Sequence, residues 1–139
     1  MKRNRLIVLC LIVLASASAF AQSPVIVAQV TLLNQFGKIA PATLLNPTTN
    51  GVYRITGYMT VLPTDKKPLG KWDPSIVWDD ETNIFQTFSW EVNPTQRTGQ
   101  GVIVVRTLAG RPIVYYVNGG SATNFNYDLF ITVEQLETD

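Results

Sequence analysis

The stretch Gly51-Val52-Tyr53-Arg54-Ile55-Thr56-Gly57-Tyr58-Met59-Thr60-Val61-Leu62 decides the fold, because it is the longest run of strand-forming residues in the chain. From Tyr53 to Val61 every second residue is apolar or glycine, and most of the residues between them are polar. A period of two predicts a β-strand with one buried and one exposed face. Asn50-Gly51 supplies a turn before the strand, and Pro63 ends it. We therefore predict the central strand of a β-sandwich here.

Short strand-like segments flank this stretch on both sides. They lie at residues 25–33, 43–45, 75–78, 84–90, 101–108, 112–117 and 125–136. Segments rich in Gly, Pro, Asn and Asp separate them, with exposed loops expected at 46–51, 63–74, 93–99 and 118–121 and a hairpin turn at 79–83. No segment has a convincing helical pattern. Seven or eight short strands at such intervals predict an all-β antiparallel sandwich or barrel.

The first residues have the pattern of a signal peptide. A basic start is followed by an unbroken apolar run at residues 6–14 and by Ala19-Phe20-Ala21, the small-x-small form that signal peptidase cleaves. The run is shorter than the roughly 20 apolar residues that a membrane-spanning helix needs. A lipoprotein is disfavoured because Cys10 lies inside the run. We expect cleavage after Ala21, a signal peptide at 1–21, one domain at 22–139, and secretion to the periplasm or the extracellular space.

The composition of residues 22–139 limits the partners. Removing Lys2, Arg3 and Arg5 with the signal leaves eight basic residues against ten acidic ones, a net charge of −2. No basic patch is present to attract nucleic acid or anionic lipid. We therefore expect no nucleic-acid partner and no membrane insertion after signal removal. Cys10 is the only cysteine, so the mature domain must fold without a disulfide.

Three groups of residues carry a family resemblance. They are Asn46-Pro47 before Gly51-Val52-Tyr53-Arg54-Ile55, then Val104-Val105 with Gly110 and Ile113, and finally Tyr127-Asp128-Leu129-Phe130-Ile131. In their order and spacing they resemble the globular heads of the complement-first-component and tumour-necrosis-factor superfamily. The chain departs from that pattern at Arg111, where the family often has an acidic residue, and at Asp128, where it commonly has glycine.

The resemblance implies a specific fold and assembly. The fold is an antiparallel two-sheet β-sandwich of jelly-roll type, and the usual assembly is a trimer. It implies no ligand, since function depends on the site rather than on the fold.

The side chains needed for common catalytic chemistry are largely missing. The sequence has no histidine, and its one thiol leaves with the signal, which removes the usual general base and the thiol nucleophile. The acidic cluster Asp79, Asp80 and Glu81 could hold Ca²⁺, but its spacing matches no calcium loop, so a solvated turn is favoured. We expect no enzyme activity and no cofactor, and a calcium-dependent hydrolase is the least favoured alternative.

The three tryptophans allow a different kind of site. Sugars stack on flat aromatic faces, whereas large aromatic residues also dominate β cores. We expect Trp78 and Trp90 in the core, and we expect Trp72, in a Lys-rich polar segment, to be exposed as a ligand contact. A monomeric carbohydrate-binding module is therefore an alternative function.

Several strands are apolar on both faces, which a sandwich core alone does not require. Val102 and Val104 lie on the face of their strand opposite to Ile103 and Val105, and the strand at 112–117 is likewise apolar on both faces. We predict that Val114, Tyr116 and Phe130 form the interface of a homo-oligomer; the number three comes from the resemblance. The predicted function is a secreted, non-enzymatic structural or recognition module, with an extracellular glycan or protein as a further partner.

Overall fold

This computed structural model describes residues 23–62, 70–82, 84–93, 95–119 and 126–138. The described residues form eight strands: β1 (Val25–Gln35), β2 (Ile39–Leu45), β3 (Gly51–Val61), β4 (Trp72–Asp79), β5 (Phe85–Ser89), β6 (Thr98–Thr107), β7 (Ile113–Gly119) and β8 (Tyr127–Thr138). The predicted signal peptide at 1–21, Pro63, most of the predicted loop at 63–74 and the glycine-containing loop from 120 lie outside these ranges.

The strands form two antiparallel four-stranded sheets. Sheet I has the order β1-β8-β3-β6, and sheet II has the order β2-β7-β4-β5. Six of the seven connections along the chain change sheet, and β4–β5 alone is a hairpin within one sheet. This arrangement is a jelly roll, so the predicted all-β two-sheet sandwich of jelly-roll type is confirmed.

Strand β3 lies inside sheet I, as the opening stretch predicts. It pairs with β6 from Gly51↔Thr107 to Thr60↔Thr98, and with β8 on its other side. The apolar phase of β3, including Tyr53, Ile55 and Met59, is buried against sheet II. The strand is therefore central, and its polar phase forms the outward face of sheet I.

Two strands begin earlier than the sequence predicts, because each of them contains a proline that would be expected to end a strand. Strand β2 is an edge strand and contains Pro41 at a β-bulge, a position that tolerates proline. Ile39 pairs with Val117 of β7, and the next pair along the two strands is Ala42 with Tyr115. Strand β4 starts at Trp72 and runs through Pro74. The prediction of an exposed loop through residue 74 is therefore wrong at its end.

The core lies between the two sheets and is built around large aromatic rings. Trp78 and Trp90 are both buried, which confirms the prediction for them. The ring of Trp90 lies directly against Gly57 of β3, where a Cβ atom would overlap its six-membered ring. A glycine in the apolar phase of the central strand thus makes room for an indole from the opposite sheet.

Candidate functional site

The outward face of sheet I combines exposed apolar groups with paired polar ones. The inter-strand register places Tyr58 between Phe130 and Gln100, Thr56 between Thr132 and Val102, and Arg54 between Glu134 and Val104. Directly opposite side chains in an antiparallel pair are about 4.5–5.5 Å apart at Cβ. These three rows therefore form one continuous surface, which we call the sheet I face.

Two valines on the edge strand are the most exposed apolar part of this face. Val102 is 57% exposed and Val104 is 55% exposed, although Val105 beside them is buried. The sequence predicts this division of β6 into two apolar faces. Within the described ranges strand β6 pairs with β3 alone, so the two valines lie at a border of the described sheet, where another chain can approach.

An aromatic pair continues the apolar surface toward the middle of the sheet. The rings of Tyr58 and Phe130 are 6.1 Å apart between centroids and tilted by 36°, a separation typical of favourable aromatic contacts. Tyr58 is diagonal to Val102 across the β3–β6 pair. The sequence analysis does not identify Tyr58 as a surface residue. A signal was present, because Tyr58 is an aromatic residue among the polar, outward-facing residues of a central strand.

The charges on the sheet I face neutralise each other. Arg54 Nε donates a hydrogen bond to Glu134 Oε2 at 2.6 Å. That hydrogen bond lowers the pKa of Glu134, against an opposing effect of desolvation, and the same bond raises the pKa of Arg54. The pair therefore stays ionised at neutral pH and contributes no net charge to the surface.

The structure divides the three predicted interface residues between two opposite surfaces. Phe130 belongs to the sheet I face, whereas Val114 and Tyr116 lie on β7 and point outward from sheet II. Val114 and Tyr116 are both partly buried. They cannot form one surface with Phe130, because the two sheets lie between them.

Trp72 is buried, and the prediction that it is exposed is wrong. Its side chain is 1% exposed and packs against Tyr127, with ring centroids 4.9 Å apart. Trp72 pairs with Gly119 of β7, and the missing side chain there leaves the space that the indole fills. The backbone of Trp72 also exchanges two hydrogen bonds with Val92. Trp72 is therefore a core residue and offers no ring face to a glycan.

The acidic cluster is a turn in which each carboxylate has its own partner. Asp80 Oδ1 accepts hydrogen bonds from the Thr82 hydroxyl at 2.6 Å and from the backbone N–H of Ile84 at 3.0 Å. Glu81 pairs with Arg106 at 2.9 Å, and Asp79 lies 3.5 Å from an Arg111 nitrogen. These bonds direct the three carboxylates to different neighbours, which supports the turn interpretation over a calcium site. Within the described residues no three acidic, histidine or cysteine side chains cluster as metal ligands would.

Comparison with protein-family models finds no match to this sequence, and comparison with curated proteins finds none either. Among solved structures the chain is similar to the globular domain of the zebrafish complement 1qA protein, with a TM-score of 0.57 and 9% sequence identity over 81% of this chain and 98% of that one. At this identity the likeness shows the fold alone, and it agrees with the jelly roll expected from the resemblance.

A second solved structure is more distant. The CBM22-1 xylan-binding domain from Paenibacillus barcinonensis Xyn10C has a TM-score of 0.45 and 13% identity, over 80% of this chain and 72% of that one. A likeness at this level carries no argument about the chain. In the part of the chain that the structure describes, no helix has the length and apolar character to cross a membrane.

Proposed function

We propose that this protein is a secreted, non-enzymatic structural or recognition module that self-associates through the sheet I face, as a homotrimer. The observation that carries the proposal is the pair of exposed valines on β6, continuous with the Tyr58–Phe130 pair. Monomers rarely expose large contiguous apolar surfaces, so a covered face is the expected state. The number three rests on the family resemblance alone.

A second copy of the chain is the partner that this face fits. In a closed ring of three copies, one part of the face of each copy meets a different part of the face of the next copy, so the whole face must tolerate its own charge. The ion pair between Arg54 and Glu134 makes the middle of the face neutral within one chain. Two such faces can then approach without repulsion between like charges, and their valines and aromatic rings provide the buried apolar area.

The non-enzymatic part of the proposal is supported by composition. The sequence lacks histidine and has a single cysteine inside the proposed signal peptide. The acidic residues that could substitute for them are engaged in the β4–β5 turn. The alternative of a carbohydrate-binding module built on Trp72 is not retained, because that indole is in the core.

Replacing one exposed valine by a charge tests the interface. Val104→Asp places a carboxylate in the middle of the proposed contact, where an unpaired buried charge costs several kcal/mol. We expect the variant to be a monomer at concentrations where the parent protein is an oligomer, with unchanged β-sheet circular dichroism. Light scattering on a sizing column measures the mass.

Ile84→Asp is the matched control for this variant. Ile84 is 57% exposed, like the valines, but it lies next to β5 of sheet II. We expect this variant to keep the oligomer. If both aspartate variants dissociate the oligomer equally, or if Val104→Asp leaves it intact, the sheet I face is not the interface.

A further inference from the structure

A pocket lies on the opposite side of the molecule, where β2 bulges away from β7. Its volume is about 470 Å³, and it is lined by Lys38, Ile39, Ala40, Pro41, Tyr116 and Asn118. The bulge between Ile39 and Ala42 puts two residues of β2, Ala40 and Pro41, opposite Tyr116 of β7. Bulges are common beside binding sites, and this volume is within the roughly 300–1,000 Å³ of small-ligand pockets.

The pocket combines an apolar wall with three polar groups that are not used by the fold. Ile39, Ala40 and Pro41 form the wall. Lys38 Nζ, the Tyr116 hydroxyl and the Asn118 amide make no side-chain hydrogen bond or ion pair within the described part of the chain. Four other cations there, Arg54, Lys71, Arg106 and Arg111, are each paired with a carboxylate.

The charge around the pocket is positive. Among the residues that the structure describes, no acidic side chain lines it. The acidic residue next to it in the sheet is Asp73, which pairs with Asn118 across the β4–β7 ladder, and its carboxylate lies 3.5 Å from Lys71 Nζ. The unpaired ammonium of Lys38 is therefore the charge that an incoming ligand meets.

We propose that this pocket binds a sugar that carries a carboxylate, as a single residue of an acidic glycan. The Tyr116 ring lines the pocket, and an aromatic ring can stack on the C–H side of a sugar ring. The Asn118 amide can both donate to and accept from neighbouring hydroxyls. Lys38 forms a charge-assisted hydrogen bond with the carboxylate. Because the pocket faces away from the sheet I face, self-association leaves it open.

Titration of the mature protein with D-glucuronic acid, followed by amide NMR shifts, tests the proposal. D-glucose and acetate are the matched probes that carry only the ring or only the carboxylate. We expect saturable shifts at Lys38, Tyr116 and Asn118 with glucuronic acid, and binding at least about tenfold weaker for each of the other two probes, since each lacks one part of the contact. Equal binding of glucose or of acetate, or no saturable shift, would overturn the proposal.

Two variants assign the contacts to named side chains. Lys38→Gln should weaken glucuronic acid about tenfold and leave glucose unchanged, because it removes the charge-assisted bond. Arg97→Gln is the control, since Arg97 is the other described cation without an ion pair and is not a lining residue. Tyr116→Phe should keep binding, and Tyr116→Ala should lose it. If Lys38→Gln and Arg97→Gln change the affinity for glucuronic acid by the same factor, the pocket is not the binding site.

Binding of glucuronic acid at this pocket should not depend on the proposed self-association. The same titration on the Val104→Asp variant should give the same affinity, because that residue lies on the other sheet. Loss of the oligomer with retained sugar binding would separate the two proposals, and loss of binding in that variant would contradict the position assigned to the site.

Discussion

At the scale of single residues, the inward or outward direction of most strand side chains follows from the sequence. The alternation predicted for β3 is confirmed by burial at Ile55 and Met59. Trp72 could not be placed in this way. The space that it fills is created by Gly119 of β7. The residues around Trp72 in the sequence do not show that a distant glycine leaves room for its ring.

Gly57 gives a prediction at this scale. A methyl group at Gly57 would overlap the indole of Trp90, so Gly57→Ala should lower the free energy of unfolding by about 1–3 kcal/mol, the usual cost of overpacking a core. Chemical denaturation measures this change. Thr56→Ala, on the outward side of the same strand, is the control and should change stability by less than about 1 kcal/mol.

A second variant separates the clash from any other effect of the substitution. Trp90→Leu removes the ring that meets the new methyl group, so the cost of Gly57→Ala should be smaller in that background than in the parent protein. If Gly57→Ala costs the same in both, or nothing in the parent, the packing of Trp90 on Gly57 does not limit this position.

At the scale of elements, the sequence predicts the strands better than it predicts their ends. Proline is read as a breaker, yet Pro41 lies in the edge strand β2 and Pro74 lies near the start of β4. Both positions are tolerated because hydrogen bonds missing from a proline are not needed at an edge, a bulge or a strand start. The β4–β5 hairpin, in contrast, is predicted correctly from its acidic residues, which have the turn chemistry that the structure contains.

Asp80 gives a prediction for this hairpin. The hydrogen bonds from the Thr82 hydroxyl and then from the Ile84 backbone lower the pKa of Asp80 below its ordinary value. Its contribution to stability is therefore present above the pKa of the unfolded chain, and it is lost as pH falls through the lower pKa of the folded state. We expect Asp80→Asn to be less stable than the parent at pH 7.

The difference between the two proteins should shrink on acidification to about pH 3, below the ordinary aspartate pKa of about 3.9, because the unfolded parent is then largely protonated. Denaturant midpoints at the two pH values measure this. Thr56→Ala is the control, since neither side chain titrates, and its effect on stability should be the same at both pH values. A destabilisation by Asp80→Asn that is the same at both pH values would contradict the account of the turn.

At the scale of the whole molecule, periodicity shows which side of a strand faces the core but not which sheet the strand joins. Val114, Tyr116 and Phe130 are all in outward phases, and the sequence offers them as one interface. The jelly-roll order puts β7 and β8 in different sheets, so their outward faces are on opposite sides. The sequence therefore predicts surface-facing apolar residues, and only the topology assigns Phe130 to one surface and Tyr116 to another.

The proposed secretion gives a prediction for the intact chain. The basic start, the apolar run and Ala19-Phe20-Ala21 favour cleavage after Ala21. N-terminal sequencing of protein recovered outside the cytoplasm should begin at Gln22. A chain that begins at Met1, or one that stays in the membrane at full length, would contradict this assignment.

Self-association is the central claim, and the mass of the mature protein in solution tests it most directly. Light scattering on a sizing column, repeated over a dilution series, should give three times the mass of the single chain, falling toward that of one chain as the protein is diluted. The exposed valines and the Tyr58–Phe130 pair would then be covered in the assembled form. A mass equal to one chain at every concentration would contradict the claim.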